Sequence, residues 1–104
     1  MCREIRSAAG RSNPLPLIAV DQEGGRVARF KDPPFTWFPP ARACSLFCCR
    51  NEDVAEAAGA ATAAELRAVG IDVNFAPVLD VDSNPANPVI GDRAFSDEIG
   101  RAHV

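Results

Sequence analysis

The chain has one histidine, one lysine and no long apolar run, and each scarcity closes off a class of function. His103 lies at the very end of the sequence, so a His-based hydrolytic triad cannot be assembled within these residues. Arginines are spread along the chain and the net charge is -3, which argues against a nucleic-acid patch or a polybasic membrane segment. Leu15 to Val20 is among the longest apolar stretches, far short of the ~20 residues that cross a bilayer. Met1 to Gly10 carries Arg3, Glu4 and Arg6 where a signal peptide would need an apolar core, so the expected compartment is the cytoplasm. The four cysteines, Cys2, Cys44, Cys48 and Cys49, lack the second ligand pair and the histidine of a structural zinc site, and read as reduced thiols. Gly24-Gly25-Arg26 has neither the Lys-Ser/Thr of a phosphate loop nor a G-x-G-x-x-G pattern. Asp80-x-Asp82-x-Asn84 imitates the opening of a calcium loop, but Pro85 and Gly91 occupy the positions of its required Gly and Glu. No metal and no cofactor is expected.

What is present is a chain of 104 residues, 47% hydrophobic and 24% charged, with room for one small domain. Residues 1–13 show no sustained period and read as a disordered lead-in ending at the turn-forming Asn13-Pro14. Pro16 to Val20 is a short continuous apolar run ending at Asp21, the pattern of a strand buried on both faces. Between Phe30 and Pro40, four prolines and three aromatics describe a stiff loop. A helix is expected from an N-cap at Asn51 to a C-terminal glycine at Gly70, with Ala55, Gly59, Thr62, Leu66 and Val69 forming its packed face. Ile71 to Leu79 reads as the next strand. A strand, a crossover carrying a helix and a second strand make a βαβ unit, so the fold class is α/β.

Both expected strands end in acids, Asp21 with Glu23 and Asp80 with Asp82, where α/β folds place ligand-binding and catalytic groups. Acids after strands also serve as solvated loop residues or helix caps, and the pattern alone leaves both open. Arg29 and Arg93 can direct hydrogen bonds to hydroxyl or carboxylate oxygens. Their plainer role is surface pairing, Arg29 with Asp32, or Arg93 with Asp92 or Asp97. Trp37 and Phe38 can stack on a sugar ring or anchor their loop.

IAVDQEGGRVARF at residues 18 to 30, and AAELRAVGIDVNFAPVLDVDSNPANPVIGDRAFSDE at residues 63 to 98, resemble glycoside hydrolase family 3, and within it the bacterial β-N-acetylhexosaminidases. The resemblance implies a TIM (β/α)8 barrel, of which these residues would form only the early βαβ portion, since such barrels run to ~250 residues. It divides the chain into the lead-in 1–13, a partial catalytic domain over 14–98 and a non-native-looking tail over 99–104. Residues 42–50, RACSLFCCR, depart from the family's usual segment. The implied activity is retaining hydrolysis of terminal non-reducing N-acetylhexosamine in peptidoglycan recycling, with an N-acetylglucosamine-containing saccharide as substrate. The family's nucleophilic Asp and its acid/base His belong to motifs not found in these residues, so no catalytic residue is assigned and the 104 residues alone are expected to be inactive. What carries over is sugar binding: Asp21 in VDQEGGR, Arg29 closing GGRVAR, and Arg93 in IGDRAF. A β-glucosidase-type hydrolase of the same family and a non-catalytic sugar-binding or structural fragment are the alternatives.

Overall fold

The computed structural model describes residues 1–10, 16–48 and 52–102. Asn13-Pro14, Cys49, the expected N-cap Asn51 and His103 lie outside them. Helix α1 spans Cys2–Ala8, strand β1 Ala19–Val20, helix α2 Ala41–Cys48, helix α3 Glu52–Ala68, strand β2 Val73–Asn74 and helix α4 Ile99–Ala102, with a 3-10 turn at Gly91–Arg93. The α/β class holds: β1 and β2 pair in parallel, Ala19 opposite Val73 and Val20 opposite Asn74, with α2 and α3 in the connection.

The pairing is shorter than the apolar patterns suggest. The Ile18 carbonyl accepts from the amides of Asp72 (2.8 Å) and Val73 (3.2 Å), and the Val20 carbonyl from Phe75 (2.9 Å). Pro77 then has no amide to donate, and the expected strand to Leu79 stops early. Nor is β1 buried on both faces: Ile18 and Val20 pack inward while Leu17 and Ala19 are exposed. With β2 as its one strand partner among the described residues, β1 leaves its other edge unpaired.

Helix α3 ends as its sequence dictates. Gly70 adopts φ +88°, its amide donates to Arg67 O (3.0 Å), and the Ile71 amide reaches back to Leu66 O (3.0 Å). This pair of bonds is a Schellman motif, and its usual apolar contact is supplied by Leu66 and Ile71, both buried in one cluster with Cys2. The packed face of α3 differs from the expected one. Leu66 is buried and Thr62 half-buried, but Ala55, Gly59 and Val69 are exposed, while Ala58 and Glu65 turn inward. Glu65 does so because its carboxylate accepts from the Thr36 amide (3.1 Å) and hydroxyl (2.6 Å), tying the proline-rich loop to the helix.

Residues 2–8 are not a disordered lead-in. They form α1, which inserts Cys2 beside Leu66 and Ile71 and places Arg6 to donate to Gly70 O (3.0 Å) and Asp72 Oδ2 (2.6 Å). One buried side chain and one remote ion pair hold this helix, and neither leaves an apolar period in the sequence. Helix α2 occupies the divergent 41–48 stretch directly after Pro39-Pro40, with the Ser45 hydroxyl donating to Phe95 O (2.7 Å).

Candidate functional site

The C-terminal ends of β1 and β2 lead into two loops whose side chains meet. After Val20 the chain turns sharply: the Glu23 amide donates to Val27 O (2.9 Å) and the Val27 amide to Gly24 O (3.1 Å). Gly24 (φ +100°) and Gly25 (φ +52°) permit this turn to lie directly on the proline-rich loop. A Cβ at Gly24 would stand 2.5 Å from Pro39 O, and the Gly25 amide donates to Phe38 O (2.8 Å).

Gln22 is buried and acts as the junction of the turn. Its Oε1 accepts from the amides of Arg29 (2.8 Å) and Phe30 (3.1 Å), and its Nε2 donates to Phe30 O (2.9 Å). Its own backbone exchanges two bonds with the Asn74 side chain, amide to Oδ1 (3.0 Å) and Nδ2 to carbonyl (2.9 Å). Asn74 closes β2, so the two strand ends are stitched together immediately beside Asp21.

Asp21 and Arg29 form an ion pair at 3.4 Å, both half-exposed and able to turn toward a ligand. Arg93 is held differently. Its Nε and Nη2 donate to the two oxygens of Glu23 (2.9 and 2.8 Å), and its Nη1 donates to Val89 O (3.2 Å). The Glu23 side chain is 8% exposed. Hydrogen bonding to Glu23 raises the Arg93 pKa above its already high value against the opposing effect of burial, and the negative charges of Glu23, Asp80 and Asp21 add to the rise. Arg93 is therefore a cation paired with Glu23 and within electrostatic reach of Asp21 and Asp80.

The structure thus brings Asp21, Arg29 and Arg93 into one neighbourhood, and the simple pairings by sequence proximity are not the ones formed. Arg29 pairs with Asp21 rather than Asp32, and Arg93 with Glu23 rather than Asp92 or Asp97. Asp92 instead meets Arg26 Nε (3.0 Å), and Asp97 meets Arg42 (3.7 Å), which also holds Asp82 (3.0 Å). Arg26, which the pattern did not single out, donates to Pro88 O, Val89 O and Ile90 O at 2.8 to 3.0 Å and so clamps the loop that carries Arg93. The motif placed Arg26 beside two glycines, but its targets are three carbonyls more than sixty residues away. Trp37 is exposed and Phe38 half-buried, and both border a shallow indentation next to Gln22 and Glu23.

Chemically, the cluster joins three carboxylates to two guanidinium groups. It suits a neutral, hydroxyl-rich ligand, for which Asp21 accepts and the arginines donate, better than an anion. Among the described residues no group of three His, Cys, Asp or Glu side chains is arranged to hold a metal ion. No helix among them is long and apolar enough to cross a membrane.

The chain is similar to known proteins over most of its length. The glycosyl hydrolase family 3 N-terminal domain matches residues 2–103, reaching beyond 14–98 in both directions. A beta-hexosaminidase of Nitrosomonas eutropha is 55% identical over 89 residues, covering 82% of this chain and 25% of that protein. One from Methylococcus capsulatus is 54% identical, covering 89% and 26%. Among solved structures, a family 3 beta-N-acetylglucosaminidase from Paenibacillus superposes with a TM-score of 0.82 at 37% identity, over 97% of this chain and 19% of that one. NagZ from Neisseria gonorrhoeae in complex with N-trifluoroacetyl-D-glucosamine superposes at 0.74 and 37%, over 97% and 30%. The chain spans about a quarter of the length of the curated relatives it matches.

Proposed function

The chain belongs to glycosyl hydrolase family 3, and on that premise we propose that it supplies the sugar-binding part of a retaining β-N-acetylhexosaminidase that releases terminal N-acetylglucosamine. Asp21, Arg29 and Arg93 are the binding groups, built on the early βαβ portion of a TIM barrel over residues 14–98. The observation that carries this reading is the half-exposed Asp21 carboxylate at the end of β1, paired with Arg29 and within electrostatic reach of Arg93, which Glu23 holds in place. A carboxylate bordered by two guanidinium groups can accept from adjacent hydroxyls while its neighbours donate to the next oxygens, and such contacts speed a reaction when they tighten in the transition state. Support for the substrate comes from the relatives named beta-hexosaminidase and from the related structure that holds an N-acylated glucosamine. Turnover of cell-wall saccharides in the cytoplasm is the setting this assigns.

A retaining mechanism needs a nucleophile and a second group that serves as acid and then base. The proposal assigns neither to these 104 residues, whose contribution is to grip the sugar. In the intact protein, Asp21→Ala is expected to lower kcat/KM for a chromogenic N-acetyl-β-glucosaminide by at least a hundredfold. Unchanged activity would remove Asp21 from the site. Equal turnover of the matching β-glucoside by the unaltered protein would favour the glucosidase type within the same family.

A further inference from the structure

We propose that Glu23 is a positioning residue that sets the orientation of Arg93 and thereby decides which edge of its guanidinium a ligand can use. The inference rests on the sugar-binding reading above and extends it to a residue that reading does not use. The side-on edge of Arg93, Nε and Nη2, is spent on the two Glu23 oxygens at 2.9 and 2.8 Å, and one Nη1 hydrogen goes to Val89 O. What remains is one hydrogen each on Nη1 and Nη2, a narrow pair of donors at the end of the group. A guanidinium free to rotate would offer either edge, whereas this one offers only the end.

The cost of the arrangement argues that it serves orientation. Glu23 keeps its charge almost wholly out of water, which is unfavourable unless a partner is held in good geometry. That partner comes from 70 positions away, and the same short turn fixes its backbone as well: Arg26 binds Pro88 O, Val89 O and Ile90 O and pairs with Asp92. Residues 23 and 26 therefore hold Arg93 by its side chain and by its loop. Glu23 is thus the link between the strand end that carries Asp21 and the second arginine of the site.

The test is a double-mutant cycle in the intact protein, read by affinity for N-acetylglucosamine, with the Arg93 side-chain Nε–H resonance followed by NMR. Glu23→Gln is expected to weaken binding tenfold or more, and by less than twofold when Arg93 is already alanine. The Nε–H resonance, protected from exchange at neutral pH, is expected to be lost. Equal losses in both backgrounds, or a resonance as well protected in Glu23→Gln as in the unaltered protein, would overturn the proposal. If the unaltered protein binds no N-acetylglucosamine, the sugar-binding reading falls, and the resonance alone judges whether Glu23 holds Arg93. Should Glu23→Gln fail to fold, Glu23→Asp keeps the charge but shortens the reach; it is expected to leave the resonance exchange-broadened, and full protection there counts against the proposal.

Discussion

Asp72 shows how one side chain makes the fold sensitive to acid. Its carboxylate accepts from the Ile18 amide (2.8 Å) and from Arg6 (2.6 Å), and these contacts lower its pKa below the ordinary 3.8, the backbone bond most and the Arg6 bond next, against a smaller opposing effect of burial. A folded-state pKa below the unfolded one means that the stabilisation is complete above 3.8 and fades as pH falls through the folded value. In the intact protein, Asp72→Asn is therefore expected to melt below the unaltered form at neutral pH. The gap between the two melting curves should narrow as the solution is acidified, and a gap that acid leaves unchanged would show that the charge is not responsible. Gly24 carries a different constraint. At φ +100°, with Pro39 O 2.5 Å from any Cβ, Gly24→Ala should cost about 1–3 kcal/mol in a denaturant titration of the intact protein. At this scale the sequence marked Asp21, Arg29 and Arg93 by residue type and motif. It did not show the partner of Arg93, because Glu23 lies 70 positions away.

Among the elements, α3 was the most legible. Its length, its alanine content and the glycine after its last turn are local signals, and the Schellman bonds at Gly70 realise them. Its inward face was read less well, since Ala55 and Gly59 fit the helical period yet stand exposed while Glu65 is drawn in by Thr36. Gly59 has open space around it, so Gly59→Ala should stabilise the intact protein by about 0.5–1 kcal/mol, measured as a shift in the urea midpoint. A loss of stability would mean that this face packs closely against something in solution. Leu66→Ala, by contrast, removes the side chain that joins α3 to Cys2 and Ile71 and should cost about 2–5 kcal/mol. The short helices α1 and α2 escaped pattern reading because a helix of two turns can be held by one or two tertiary contacts, here Arg6 with Asp72 and Ser45 with Phe95.

For the molecule as a whole, the balance between core and surface is unusual. The radius of gyration is 15.7 Å, against about 13 Å for a compact domain of this length. Among the described residues the buried apolar side chains are few, and Leu17, Phe47 and Leu79 are 74%, 85% and 64% exposed. The sheet of the described residues has two strands, each with an unpaired edge. These 104 residues on their own are therefore expected to melt without a sharp transition, to bind an apolar dye, and to show no turnover of a chromogenic N-acetylglucosaminide. A cooperative melt with no dye binding would show that the small core suffices. Local sequence settles the α/β class, helix α3 with its glycine stop, Asp21 at the end of β1, and the family, since these rest on neighbours in the chain or on contiguous motifs. Tertiary structure alone decided which arginine meets which carboxylate, how α1 docks, and which edge of Arg93 stays open. Those outcomes depend on hydrogen bonds and ion pairs whose strength is set by distance in space, and no period or spacing along the chain encodes that distance.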